Sequence, residues 1–336
     1  MIARPRIRQL GLGELLDESF RLYRANFLTF ITMAALVLVP YQIISFLVQL
    51  PIQNELAGLV PQPGANPTDP LAGQSPLDVF SGILFWYLGI IAISLLYVVV
   101  FLPLLEGALT HAVAQRYLGR SATTGESFGA AIRRSPALIG ARLIPTLFGA
   151  GIFLVLFAII GVLAFLVIRA SASDTAEPSL ALGAVAVGFL GVGLTIVLTV
   201  VALALYVRIF FTSQAIMVED QGPWQAIKRS WRLTQRYFWR TVGYLLVIIL
   251  LMYFLASLPA IVLIAPTALL GIDQRLQLLL QTIVTTIFSV IATPFSLIAY
   301  TLMYFDLRIR KEGFDLEQQT NTLLAPGTSS PYISSR

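Results

Sequence analysis

Residues Glu219 to Arg240 read EDQGPWQAIKRSWRLTQRYFWR, a basic and aromatic segment that runs straight into a long apolar span. Pro223 suits the first turn of a helix, behind the acidic pair Glu219 and Asp220. At helical spacing Trp224, Ile227, Trp231 and Phe238 share one side, with Lys228, Arg229, Arg232 and Arg236 on the opposite side and its flanks. An echo lies 95 residues earlier, where Ala131-Ile132-Arg133-Arg134-Ser135 matches Ala226-Ile227-Lys228-Arg229-Ser230 and again precedes an apolar span. A fainter echo, Glu14 to Arg21, leads into the first span. The pattern predicts three copies of one unit, about residues 11–105, 123–211 and 221–306, each a surface helix followed by two transmembrane helices. Residues 1–320 then form a single integral membrane domain, and the Ser-, Pro- and Gly-rich residues 321–336 a disordered tail.

Composition supports a membrane class. Of 336 residues 57% are hydrophobic and only 12% charged, outside the usage of water-soluble domains. The apolar residues fall into runs that reach the roughly 20 residues a bilayer-crossing helix needs. They lie at about Phe27–Leu50, Val79–Leu105, Leu138–Ile168, Leu180–Phe211, Phe238–Ile264 and Leu276–Phe305. The expected fold is all-α, a polytopic membrane helical bundle of six transmembrane helices with amphipathic interfacial helices.

Several local features follow. Leu12, Leu15, Leu16, Ser19, Phe20, Tyr23 and Phe27 form the apolar stripe of a helix expected to lie in the membrane interface, its apolar side toward the acyl chains. Thr123 with Glu126 is a capping box opening a second surface helix. Pro40, Pro145, Pro259 and Pro294 mark kinked spans. Residues 51–78, with six prolines and no Lys or Arg, read as an irregular loop. Gly183, Gly188, Gly191 and Gly193 either allow close helix approach or are simply tolerated in a membrane helix.

Orientation follows from charge. The first 26 residues are not expected to be a signal peptide, because Glu14, Asp17 and Glu18 stand where its apolar region would begin. All of the 22 Lys and Arg except Arg169 and Arg275 fall on one side of the six crossings. The positive-inside rule then predicts both termini in the cytoplasm of a cell whose inner membrane the chain crosses. The formal charge of +5 belongs with anionic lipid rather than nucleic acid, since the basic residues flank the spans.

Chemistry-bearing patterns are sparse. With no cysteine and one histidine, thiolate and His-pair metal sites have nothing to draw on, and no cofactor motif occurs. Glu106 and His111, five residues apart, do not share a helix face well. No catalytic set is expected. The candidate lipid-headgroup residues are Arg133, Arg134, Lys228, Arg229 and Arg232. A second dense cluster, Tyr304 to Glu317, carries the candidate docking residues Asp306, Arg308, Arg310, Lys311, Glu312 and Asp315, with Asp306 and Arg310 paired at i, i+4 and a helix stop at Gly313.

The run YFDLRIRKEGFDLE at Tyr304–Glu317, the AIKRSW helix at Ala226–Trp231 and the opening ELLDESFRLYRANF at Glu14–Phe27 together resemble the bacterial glycerophosphoryl diester phosphodiesterase membrane-domain family and its multipass relatives. The resemblance implies a polytopic module of the bacterial cytoplasmic membrane. It carries over no phosphodiesterase activity, because the catalytic domain that names the family, with its histidines and metal-binding carboxylates, is not found here. The expected role is a non-catalytic membrane module that engages anionic lipids, or a partner membrane protein, at its cytoplasmic face; the alternative is a permease for a lipid-like or amphipathic solute.

Overall fold

A computed structural model describes residues 9–59, 76–171 and 178–313. Within them the chain is helical throughout, an all-α polytopic bundle with six helices long and apolar enough to cross a membrane. The same order of parts occurs three times. A short helix comes first: α1 (Leu12–Ala25), α5 (Thr124–Arg133) or α9 (Pro223–Gln235). A long hairpin follows each. The first pairs α2 (Phe27–Leu59) with α3 (Pro76–Leu96) and α4 (Leu102–Tyr117); the second pairs α6 (Ser135–Ser171) with α7 (Pro178–Ile209); the third pairs α10 (Phe238–Met252) and α11 (Leu258–Leu269) with α12 (Gln274–Glu312). One further helix, α8 (Thr212–Glu219), joins the second hairpin to α9.

The short helices begin alike because each has an extended residue at its cap: Gly11, Thr123 and Gly222. Thr123 Oγ1 accepts the Glu126 N–H while the Glu126 carboxylate accepts the Thr123 N–H, the box anticipated from sequence. Counted from these caps, the fourth residues (Leu15, Ser127, Ala226) and the eighth (Ser19, Ala131, Ser230) are all fully buried. The Ala131 and Ala226 matched by sequence alone are therefore one helical turn out of structural register, a slip that leaves both on the same buried face.

Proline shapes the spans in two ways. Pro103 and Pro259 each follow, by two residues, a five-residue π-helical turn, Tyr97–Phe101 and Tyr253–Ser257. A ring with no N–H that crowds the carbonyl four residues back favours this wider winding. Pro40, Pro145 and Pro294 instead lie inside uninterrupted helices, so only Pro259 of the four anticipated kinks has such a break. Pro294 leaves a carbonyl of its own preceding turn without its helical donor, and in that turn the Tyr23 hydroxyl donates to Ile291 O at 2.9 Å.

The core is lopsided. Buried residues gather at one end of the bundle, in Leu105–Ala114, Val207–Ile216 and Leu297–Ile309, with α1, α5 and α9 packed around them. Gly107 permits the closest approach, for a Cβ there would stand 2.7 Å from Leu138 Cδ1. Elsewhere the helices diverge: none of the apolar window of Ser135–Ile159 is buried in protein, against 44% of that in Gln274–Glu312. The bared side chains, such as Leu147, Phe153, Phe157, Phe189 and Leu190, are suited only to lipid. At Gly188 and Gly193 an added Cβ meets nothing within 4 Å, so these glycines are tolerated rather than packed.

Three expectations need correction. Helix α1 does not rest its apolar stripe on the membrane alone: Leu15, Ser19 and Tyr23 are buried against α12. At about 1.5 Å per residue the 39 residues of α12 reach about 58 Å, so the helix outlasts a roughly 30 Å hydrocarbon layer and itself supplies the missing core. Residues 51–59, read as loop, continue α2; Gln53, Asn54, Glu55, Leu56 and Ala57 include strong helix formers that offset Pro51. Helix α8, too short for a periodic signal, was not anticipated. The loop residues 60–75, the remaining docking candidate Asp315 and the tail 321–336 lie outside the described residues.

One node closes the packed end. Asp306, 1% exposed, accepts the Leu10 N–H at 2.8 Å, Arg240 Nη2 at 3.2 Å and Arg310 Nε at 2.9 Å. Both arginines also donate to Leu10 O, at 2.7 and 2.9 Å. The carboxylate thus joins the entry to α1, the start of α10 and the end of α12. Asp306→Asn leaves two guanidiniums around a neutral amide and is expected to cost about 3–5 kcal/mol. Glu18→Gln, which breaks the exposed pair with Arg21, is expected to stay within about 1 kcal/mol of wild type. Thermal unfolding of the detergent-solubilised chain compares the two, and equal midpoints would refute the assignment.

Candidate functional site

Helix α9 divides the predicted cations between inside and outside. Its buried face is Ala226, Ser230, Leu233 and Thr234, one aliphatic side chain among small and hydroxylic ones rather than the aromatic stripe expected. Those hydroxyls stitch the break between α7 and α8: Ser230 Oγ accepts the Phe211 N–H at 3.1 Å and donates to Arg208 O at 2.9 Å, and Thr234 Oγ1 donates to the same carbonyl at 3.3 Å. An aromatic ring could not make these bonds. The sequence-level assignment of α9 faces is corrected accordingly: Trp224 and Trp231 point outward beside Lys228 and Arg232.

Arg229 is the inward cation. It donates Nε to Glu219 Oε2 at 2.7 Å, Nη2 to Glu219 Oε1 at 2.9 Å, and two further bonds to the Glu312 carboxylate. The Tyr304 hydroxyl donates to Glu219, Gln221 Nε2 donates to Glu219 Oε2 at 3.0 Å, and Arg308 Nε lies 3.3 Å from Glu219 Oε1. Hydrogen bonding to Glu312 first, then to Glu219, raises the Arg229 pKa above its ordinary value against the opposing effect of burial. It is fixed in its charged form and spent on structure.

The other candidates sort themselves in the same manner. Arg134 pairs with Asp220, whose left-handed backbone (φ 59°) ends α8. Arg133 is exposed, and His111 Nδ1 lies 3.4 Å from Ser127 Oγ. Lys228 sits over the Trp224 ring at 5.4 Å. Arg232 is exposed, and its carbonyl accepts a bond from Lys311. Of the docking candidates, Asp306 and Arg310 belong to the Leu10 node, while Arg308 and Glu312 belong to the Glu219 node. These residues bind their own chain.

What remains outside is an open cleft of about 620 Å³, lined by Ile209, Trp224, Ile227, Lys228, Trp231 and Arg232 among others. Two indole rings, 59% and 40% exposed, flank two ammonium or guanidinium groups. This combination offers stacking surface and positive charge but no nucleophile and no acid–base pair. Among the described residues there is also no cluster of three His, Cys, Asp or Glu that could hold a metal.

A further polar node was missed from sequence. Glu106 of α4 pairs with Arg142 of α6 and accepts Ser213 Oγ of α8 at 2.8 Å. Glu106 lies at the end of the second apolar run and Arg142 near the start of the third, yet only folding reveals that they are neighbours. Glu106, His111 and Asp306 thus keep separate partners and form no common pocket. If the Glu106–Arg142 pair is a buried ion pair, Glu106→Gln or Arg142→Gln alone should cost about 3–5 kcal/mol by stranding a charge. The double variant should cost less than the sum of the two, as read by thermal unfolding; strictly additive losses would refute the pairing.

Against this geometry, one family model, described as a domain of unknown function (DUF7847), matches residues 88–306. The chain belongs to that family. The match covers Glu106, Glu219 and Asp306 and the α9 cleft, but not Leu10, Arg308, Arg310 or Glu312, the partners that complete two of the nodes. No curated protein and no solved structure matches the chain.

Proposed function

We propose that this chain is a non-catalytic membrane module that holds anionic lipid headgroups against the outer face of α9. The observation that carries the reading is the α9 cleft, where Trp224 and Trp231 stand exposed beside Lys228 and Arg232. Indole rings favour headgroup depth, and each cation near an anionic leaflet contributes about 1 kcal/mol. On this reading the basic end faces the cytoplasm of a bacterial inner membrane, a placement supported by the positive-inside distribution of Lys and Arg. A lipid is favoured over a partner protein because Asp306, Arg308, Arg310 and Glu312 are already engaged within the chain. The resemblance to the glycerophosphoryl diester phosphodiesterase membrane-domain family accords with a membrane module and adds no activity. A permease for a lipid-like solute draws support from one observation, the Glu106–Arg142–Ser213 node inside the spans, since ionisable groups there are costly and tend to be functional.

Two measurements test the proposal. The full chain, carrying W86F and W239F so that emission reports Trp224 and Trp231, is reconstituted with brominated phosphatidylglycerol or brominated phosphatidylcholine. Quenching is expected at a roughly tenfold lower fraction of the anionic lipid, and K228Q/R232Q should abolish that preference. Equal quenching by the two lipids in the parent protein would sink the reading. For orientation, single cysteines placed within residues 60–75 are expected to react with a membrane-impermeant reagent on intact cells; reaction only after lysis would reverse the topology.

A further inference from the structure

Arg208 stands apart from the other arginines of the packed end. It closes the last turn of α7, where a cation suits the helix end. Its backbone carbonyl is held by Ser230 and Thr234, which fixes the position of the residue on α9. Its guanidinium lies 5.3 Å from the centre of the Trp231 ring and 4.9 Å from that of Phe238. Aromatic faces attract the cation but accept none of its planar N–H bonds in the manner of an oxyanion. Arg208 makes no ion pair with any described carboxylate, and its Nη1 is buried without a hydrogen-bond partner. Arg134, Arg142, Arg229, Arg240, Arg308 and Arg310 all have a carboxylate, and Arg116 instead donates to Asn26 Oδ1 and the Ala122 carbonyl.

A buried guanidinium nitrogen lacking an acceptor is costly unless an anion completes it. The surroundings state which anion. Trp231, the ring beneath Arg208, also lines the α9 cleft, as does its chain neighbour Ile209. Trp239, 80% exposed in the first turn of α10, adds a further indole suited to headgroup depth. Further along α7 and α10, which pack against each other, the exposed side chains are apolar, including Val200, Leu203, Leu246 and Ile249. Positive charge above and hydrocarbon-facing surface below match an amphiphile, not a free ion.

We propose that Arg208 is the phosphate ligand of a glycerophospholipid site, with the lipid phosphate accepting its N–H bonds, Lys228 and Arg232 attracting the headgroup, and the acyl chains lying along α7 and α10. This assignment rests on the lipid-facing reading of the α9 cleft and adds to it the chemical group recognised. Arginine suits the task because its planar donors match phosphate oxygens.

Native mass spectrometry of the full chain in neutral detergent tests it with four probes: phosphatidic acid, oleate, diacylglycerol and soluble glycerol 3-phosphate. Wild type is expected to retain phosphatidic acid at least about tenfold more strongly than oleate, the scale of one charge-assisted hydrogen bond. R208Q should erase that phosphate preference while still retaining oleate over diacylglycerol. K228Q/R232Q should do the reverse, weakening both anionic lipids while sparing the preference for phosphatidic acid over oleate. R208M, whose apolar stem keeps the packing between the two rings, repeats the test if R208Q unfolds. A phosphate preference unchanged in a folded Arg208 variant overturns the assignment and leaves the α9 reading standing. Retention of both anionic lipids unchanged from wild type in R208Q and in K228Q/R232Q overturns both. Displacement of phosphatidic acid by equimolar glycerol 3-phosphate overturns the choice of a lipid as the source of the phosphate.

Discussion

The buried carboxylate of Asp306, near the end of α12, carries the constraint on which the packed end depends. Asp306 is almost wholly withdrawn from solvent, and a lone carboxylate there would be very costly. It is tolerated because Arg240, Arg310 and the Leu10 amide surround it. Within the next two turns, Arg308 and Glu312 meet Glu219 and Arg229 in a second network. Ion pairs of this kind add less net stability than their Coulomb energy suggests, but removing one member strands the other. Their effect is geometrical: α1, α8, α9 and α10 dock on one long helix in a single register.

That register produces the asymmetry of the molecule. Helices joined tightly at one end and apolar along the remainder diverge into surface that only lipid can satisfy. It also separates cations by job. An arginine that turns inward meets a carboxylate and is fixed in charged form, as Arg229 is. A cation that stays outside meets an indole, as Lys228 does at Trp224. Arg208 lies between these groups, over the Trp231 ring yet without an acid, and on the proposed reading the membrane supplies its counter-ion.

Much of the fold was legible because bilayer physics leaves a strong trace in sequence. Apolar runs beyond about 20 residues, flanked by Lys and Arg, fixed the number of spans and the side on which charge accumulates. The Thr123–Glu126 cap, the Asp306–Arg310 pair and the stop at Gly313 were local enough to read directly. The face of α9 was not, because an aromatic stripe on a helix signals apolar contact without naming the neighbour. Trp231 faces outward since Ser230 and Thr234 are needed inside to bond the broken end of α7. Likewise the apolar stripe of α1 implied burial, but α12 as its partner depends on a helix that overruns the membrane.

The sequence by itself determined that this is an all-α membrane protein of six spans with cationic entry helices, because hydropathy and charge act residue by residue over short windows. Only tertiary structure decided which cations are free. Pairing of Glu106 with Arg142, of Arg229 with Glu312 and of Asp306 with Arg240 joins residues far apart in the chain. Short-range patterns carry no information about such partners, since the hydrogen bonds that select them form only when separate helices are packed together.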